Sequence, residues 1–189
     1  MTHVALTIAG SEASGGAGAQ TDLKTFHQLG TFGTAALTCI VSFDPKNDWG
    51  HRFVPLDPQL IADQIEASTS VHDIDTTKIG MLGSPATIDT VAHALAERSF
   101  TNVVLEGEDA VDVFYDGEQT VELRSPKIGE ERVNGAGCTL AAAVTAELAK
   151  GAPPLEAART AKAVVTSSIE HRQQGHTPFD SVYQGAYRG

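Results

Sequence analysis

Apolar positions along the chain come in short blocks that switch between two periods. Val4 to Ala9 is a short apolar run ending at Gly10, the pattern of a strand covered on both faces. After a glycine-rich stretch, Leu23, Phe26 and Leu29 recur at helical spacing within Ala19 to Leu29. Ala35 to Val41 reads as a second buried strand, Pro58 to Ser68 as a helix with Asp57 as its N-cap, and Lys78 to Leu82 as a third strand. Ser84 and Pro85 open another helix with Ile88, Val91 and Leu95 as its apolar stripe, and Asn102 to Leu105 returns as a strand. Strands alternating with helices predict an α/β fold, a mostly parallel sheet sandwiched by helices.

The pattern then changes. Val111 to Tyr115 and Gln119 to Leu123 flank Asp116-Gly117-Glu118, where an Asp-Gly pair adopts positive φ at little cost. This predicts an antiparallel hairpin at one edge of the sheet. The last third is helical: Gly137 opens a helix from about Cys138 to Lys150, Gly151 ends it, and Leu155 to Ile169 follows with Leu155, Ala158, Val165 and Ile169 inward.

With 189 residues, 41% of them hydrophobic, the chain is expected to form a single domain over 1–189. A formal net charge of -11 with only 13 Lys and Arg argues against a nucleic-acid or anionic-membrane partner, while a small anion held in a local pocket remains compatible. Two cysteines make no disulfide framework, the start MTHVALTIAG lacks the basic region of a signal peptide, and no apolar run has the length of a membrane span. A cytoplasmic location is expected. Neither an HExxH nor a CxxC spacing is present to suggest a structural zinc site.

Two glycine-rich turns carry the candidate chemistry. Gly10 to Gln20 lies where a strand feeds a helix, on the edge where parallel sheets bind ligands. It has no lysine at the P-loop position and no GxGxxG, so it reads either as a binding loop of another kind or as a tight connection. Asn134-Gly-Ala-Gly-Cys-Thr139 precedes the helix LAAAVTAELAK, which turns the amides of residues 135 to 138 into the positive end of a helix, ready for phosphate oxygens. That end favours an anion, which makes Cys138 a candidate base or nucleophile; packing under the helix is the plainer alternative. Cys39, inside an apolar strand, reads as an inert core thiol.

Three motifs in order, LTIAGSEASGGAGAQTDLKTFHQLGTFGTAALTCIVS at the start, KIGMLGS at 78 to 84 and NGAGCTLAAAVTAELAKG at 134 to 151, resemble the ribokinase-like vitamin kinases. The branch is that of hydroxymethylpyrimidine/phosphomethylpyrimidine kinases and pyridoxal kinases. The resemblance implies an ATP-dependent kinase that phosphorylates the hydroxymethyl group of pyridoxal or pyridoxine, or of hydroxymethylpyrimidine, with ATP and Mg2+ as its cofactors. It implies that Gly10, Ser11, Glu12, Gln20 and Asp22 belong to the substrate loop, with Glu12 where the family usually has aspartate. It implies further that Val41, Phe43 and Met81 line the ring pocket, with His51 either closing it or standing as an exposed histidine. Phe43 replaces a polar, ring-reading side chain of the pyrimidine kinases, and SFDPKNDWGH at 42 to 51 is similar to the pyridoxal kinase variant. Gly135, Ala136 and Gly137 match the family's anion hole and Cys138 its catalytic base, with Asn134 and Thr139 beside the nucleotide.

One part of the family pattern is missing. NVVLEGEDAVDVFYDG passes directly from the strand at 102 to 105 to the later hairpin, so the chain is internally shortened near residues 105–110. By resemblance the absent block carries middle strands and the side chains that hold magnesium and ATP phosphates. Two expectations follow: strands left without neighbours favour a homodimer, and a non-catalytic vitamer-binding protein becomes the alternative to a kinase.

Overall fold

The computed structural model describes residues 2–95, 105–106, 111–115, 119–129, 131 and 133–189. In chain order the first half runs β1 (Val4–Glu12), α1 (Gly18–Gln28), β2 (Phe32–Asp44), β3 (Gly50–Pro55), α2 (Pro58–Val71), β4 (Thr76–Ile79) and α3 (Pro85–Leu95). The second half runs β5 (Leu105–Glu106), β6 (Val111–Tyr115), β7 (Thr120–Arg124), β8 (Val133–Asn134), α4 (Ala136–Ala149), α5 (Pro154–Glu170) and β9 (Asp180–Ser181), closing on a short 3-10 turn, Gln184–Ala186.

β1 is the axis of the fold. It pairs in parallel with β2 on one side and β4 on the other, in a four-stranded sheet of order β3-β2-β1-β4. Successive side chains of a strand point to opposite faces. Leu6 and Ile8 therefore pack with Ala36 against Ile61 and Ile65 of α2 and Val91 and Leu95 of α3, while Ala5 packs with Phe26 of α1 and Ala142 and Ala146 of α4. α4 presents alanines to its neighbours, and Leu140 and Ala143 also meet Ala161, Val164 and Val165 of α5. A helix apolar all round is one buried on several sides. Asp57 caps α2 by accepting from the Gln59 and Leu60 amides, a contact worth about 1 kcal/mol.

The mostly parallel α/β sandwich is therefore borne out, with differences in detail. β1 continues past Gly10 to Glu12 through a register shift between Ala9 and Ser11, and β2 spans Phe32–Asp44 rather than 35 to 41. Glycine at position 10 leaves room for the Cys39 side chain, since a Cβ there would stand 2.6 Å from the Cys39 Sγ. β4 stops at Ile79, short of Leu82. The stripe of α3 includes Val91 and Leu95, but Ile88 is 53% exposed and the fully buried Thr87 takes its place, its amide donating to the Ser84 Oγ. The antiparallel edge of the main sheet is β3, paired from Cys39↔Pro55 to Asp44↔Gly50. The sequence pattern missed it because all six of its residues are exposed or half-buried, so no apolar alternation marks it. The hairpin over 111 to 124 forms as β6 and β7 but pairs with β5 in a sheet of its own, packed on Leu155 and Ala158 of α5. Its turn at 116 to 118, and the expected strand residues 102 to 104, lie outside the described residues. α4 begins two residues before Cys138, at Ala136.

Candidate active site

β1, β2 and β4 run parallel, so Ser11 and Glu12, Val41 and Phe43, and Met81 beyond Ile79 all collect at the carboxyl edge of one sheet. Ligands of open α/β sheets bind along that edge.

The first glycine loop is held by its own side chains. The Glu12 carboxylate is buried and accepts from the Ser14 amide (2.6 Å), the Ser14 hydroxyl (2.6 Å) and the Gly16 amide (3.2 Å). The longer side chain thus serves to fix the loop. Gln20 ties the loop base together: its Oε1 accepts from the Glu12 amide at 3.0 Å and its Nε2 donates to the Ser11 Oγ at 2.7 Å. Gly18 has φ +63°, and a Cβ there would collide with the Gly10 carbonyl.

Asp22, expected with the same loop, is sealed between α1 and the sheet. It is 0% exposed and accepts from the Thr7 hydroxyl at 2.6 Å and the Lys78 ammonium at 2.8 Å, with Lys78 itself 6% exposed. Burial raises the Asp22 carboxyl above its usual range, against the pull of Lys78 and the two hydrogen bonds. The Lys78 partnership escaped the sequence reading; its one signal is a lysine set in the otherwise uncharged run KIGML.

The second turn has the geometry of an anion cradle. Gly135 is the N-cap of α4 with φ +87°, and the Thr139 amide donates to its carbonyl at 2.9 Å. The amides of Ala136, Gly137 and Cys138 precede the first intrahelical bond and so have no partner within the helix. A Cβ on Gly135 would collide with the Gly16 carbonyl, so the two glycine turns touch backbone to backbone. The Asn134 Nδ2 is shielded from solvent without a hydrogen-bond partner and lies 3.0 Å from where a Cβ on Gly16 would stand. An unpartnered donor beside free helix-end amides fits a phosphate group. Thr139 is placed differently from expectation: it is fully buried, and its hydroxyl accepts from the Gln184 Nε2 at 2.9 Å, turned into the core. Cys138 is half-buried and Cys39 buried.

The C-terminal segment, which the sequence reading left unassigned, braces this turn. β9 pairs in parallel with β8, the Val182 amide donates to the Asn134 carbonyl at 3.1 Å, and Arg172 joins Asp180 (2.8 Å) to Glu131 (3.0 Å). DSVYQG carries no periodic pattern that would have announced this.

On the ring side, Phe43 and His51 pair across β2 and β3 with ring centroids 4.7 Å apart, and Phe43 also meets Phe179 at 5.1 Å. Val41 is half-buried and pairs with Glu12, while His51 and Met81 are exposed. Among the described residues no three His, Cys, Asp or Glu side chains come together as a metal cage. No helix among them is long and apolar enough to cross a membrane.

Layered helices on a parallel sheet, with a glycine-capped anion turn at its carboxyl edge, define a ribokinase-like α/β protein. The pattern of the phosphomethylpyrimidine kinase family matches residues 12–107 and 105–180, and the chain belongs to that family. It is 33% identical over 245 residues to a pyridoxine kinase of Bacillus subtilis, covering 89% of this chain and 90% of that protein. It is 29% identical to a hydroxymethylpyrimidine/phosphomethylpyrimidine kinase of Haemophilus influenzae, covering 92% and 94%. The crystal structure of an ADP complex of Bacillus subtilis pyridoxal kinase superposes with a TM-score of 0.90 at 31% identity, covering 98% of each chain. The family match is split at 105–107, and an alignment of 245 residues is longer than this chain of 189. The central block of the family sequence is missing here.

Proposed function

We propose that this chain is an ATP-dependent kinase of a vitamin precursor, acting on the hydroxymethyl group of pyridoxal or pyridoxine, with hydroxymethylpyrimidine as the related substrate. The observation that carries this reading is the Gly135 turn, whose free amides and unpartnered Asn134 Nδ2 meet the substrate loop at Gly16. In this role Cys138, as thiolate, takes the proton of the substrate hydroxyl while that oxygen forms its bond to the γ-phosphorus of ATP and the bond to ADP breaks. The amides of Gly135, Ala136 and Gly137 take up the charge on the transferring phosphoryl oxygens. Ser11, Glu12 and Gln20 shape the loop against which the substrate sits. Asn134 approaches the nucleotide phosphates, while Thr139 acts only by closing the turn, its amide bonded to the Gly135 carbonyl. Mg2+ would arrive with the nucleotide.

An apolar Phe43 held between His51 and Phe179 favours a pyridine over a pyrimidine ring. Val41 and Met81 would border the same ring. We read the chain further as one domain working in the cytoplasm as a homodimer. Support for the dimer is the edge formed by β2 and β3, where Ile40, Phe53 and Val54 are exposed.

A coupled ADP-release assay at saturating MgATP, with pyridoxal, pyridoxine and hydroxymethylpyrimidine in turn, tests the reading. Turnover with at least one vitamer is expected. No turnover above a no-enzyme control with any of them would overturn it; calorimetric vitamer binding indifferent to MgATP would then identify a non-catalytic binding protein.

A further inference from the structure

A cavity of about 500 Å3 lies between α1 and the C-terminal segment. That is the size of a small-molecule site. Its lining includes Ser14 to Gly16 of the first glycine loop, Lys24 and His27 of α1, and Gln173 and Tyr183 of the C-terminal segment. Ser11, Gln20, Phe43 and Cys138 do not line it, so it adjoins the site described above, sharing the loop at Ser14 to Gly16, without coinciding with it.

Its charge is unlike that of the rest of the molecule. The chain has a formal net charge of -11, yet among the described residues lining this cavity there is no aspartate or glutamate. Lys24 donates to the Gly15 carbonyl at 2.7 Å, which leaves two ammonium hydrogens for a ligand. His27 is exposed on the same side of α1, one helical turn further on. Ser14, Gln28 and Gln173 add neutral hydrogen-bonding groups, and Val182 and the Tyr183 ring add apolar surface.

We infer that this cavity is an accessory oxyanion site for the phosphate group, either as the free ion or carried on a small organic molecule. Lys24 and His27 both line it without a competing carboxylate in the wall, and the cavity has room for an organic body beside the phosphate. The inference does not depend on the kinase reading, since neither Lys24 nor His27 takes part in that chemistry.

Amide and imidazole resonances of the full-length chain, followed during titration with inorganic phosphate and separately with phenyl phosphate, test it. Phenyl phosphate has no hydroxymethyl group to be phosphorylated. Saturable shifts centred on Lys24, His27, Gln173 and Tyr183 are expected, weakened about tenfold or more in Lys24→Gln, because charge-assisted hydrogen bonds are the strong ones. His27→Gln serves as a second variant should Lys24→Gln fold poorly. Tighter binding of phenyl phosphate would assign the site to an organic phosphate, and equal affinity to the free ion. Shifts confined to residues 135 to 138, no saturable shift, or undiminished binding in the folded variants would overturn the inference.

Discussion

Gly16 and Gly135 meet backbone to backbone: the carbonyl of Gly16 occupies the space that any Cβ on Gly135 would need. Gly135 also has φ +87°, so an alanine there meets left-handed strain and a collision together. Gly135→Ala is expected to lose more than the about 1–2 kcal/mol that left-handed strain alone costs, and to lower phosphoryl transfer by displacing the turn. Denaturant unfolding beside the kinase assay checks both. An alanine variant with wild-type stability would mean that the two turns separate freely.

The Asp22–Lys78 pair yields a pH-dependent prediction. Removing one member of a buried pair costs about 3–5 kcal/mol, because the other charge is left uncompensated. Lys78→Met should therefore be strongly destabilised at neutral pH. The Asp22 carboxyl in the folded protein already lies above its ordinary value through burial, and losing the ammonium removes the main opposing pull. Protonation then relieves the penalty, so the stability gap to wild type should narrow as pH falls toward the raised folded pKa and widen above it. Urea unfolding of both proteins across the acid range measures this, and a gap independent of pH would contradict it.

The two thiols should differ in reactivity. Cys39 is fully buried in β2 and packed against Gly10, whereas Cys138 is half-buried in the first turn of α4. Iodoacetamide at neutral pH followed by peptide mass mapping is expected to modify Cys138 first. Labelling of Cys39 at an equal rate in the folded protein would show that β1 and β2 open readily at Gly10.

Much of this architecture was legible in the sequence because it is local. Apolar runs and helical spacing mark β1, β2, α1 and α2, Asp57 followed by proline marks a helix start, and NGAGC marks a glycine-capped turn. What was not legible depends on contacts distant in sequence. Lys78 reaches Asp22 from 56 residues away, and Gln184 reaches Thr139 from 45. Thr139 looked available in the motif and is turned inward only because the C-terminal segment returns to meet it. β3 carries no buried face to give it a period, so only its pairing with β2 defines it.

Specificity follows from the aromatic side of the site. If Phe43, supported by His51 and Phe179, faces the vitamer ring, hydroxymethylpyrimidine should bind less well than pyridoxal, since ring nitrogens left without partners cost about 1–3 kcal/mol. Comparison of kcat/KM for the two substrates decides this, and a preference for the pyrimidine would contradict it.

The central claim is that phosphoryl transfer occurs at the Gly135 turn with Cys138 as proton acceptor, and formation of phosphorylated vitamer by the wild type and by Cys138→Ser under saturating MgATP tests it most directly. The account predicts product with the wild type and a kcat lower by about 10²–10⁴ in the serine variant, with KM little changed, because a hydroxyl is a far weaker base at neutral pH. Wild-type turnover in the serine variant, or no product from the wild type, would contradict it.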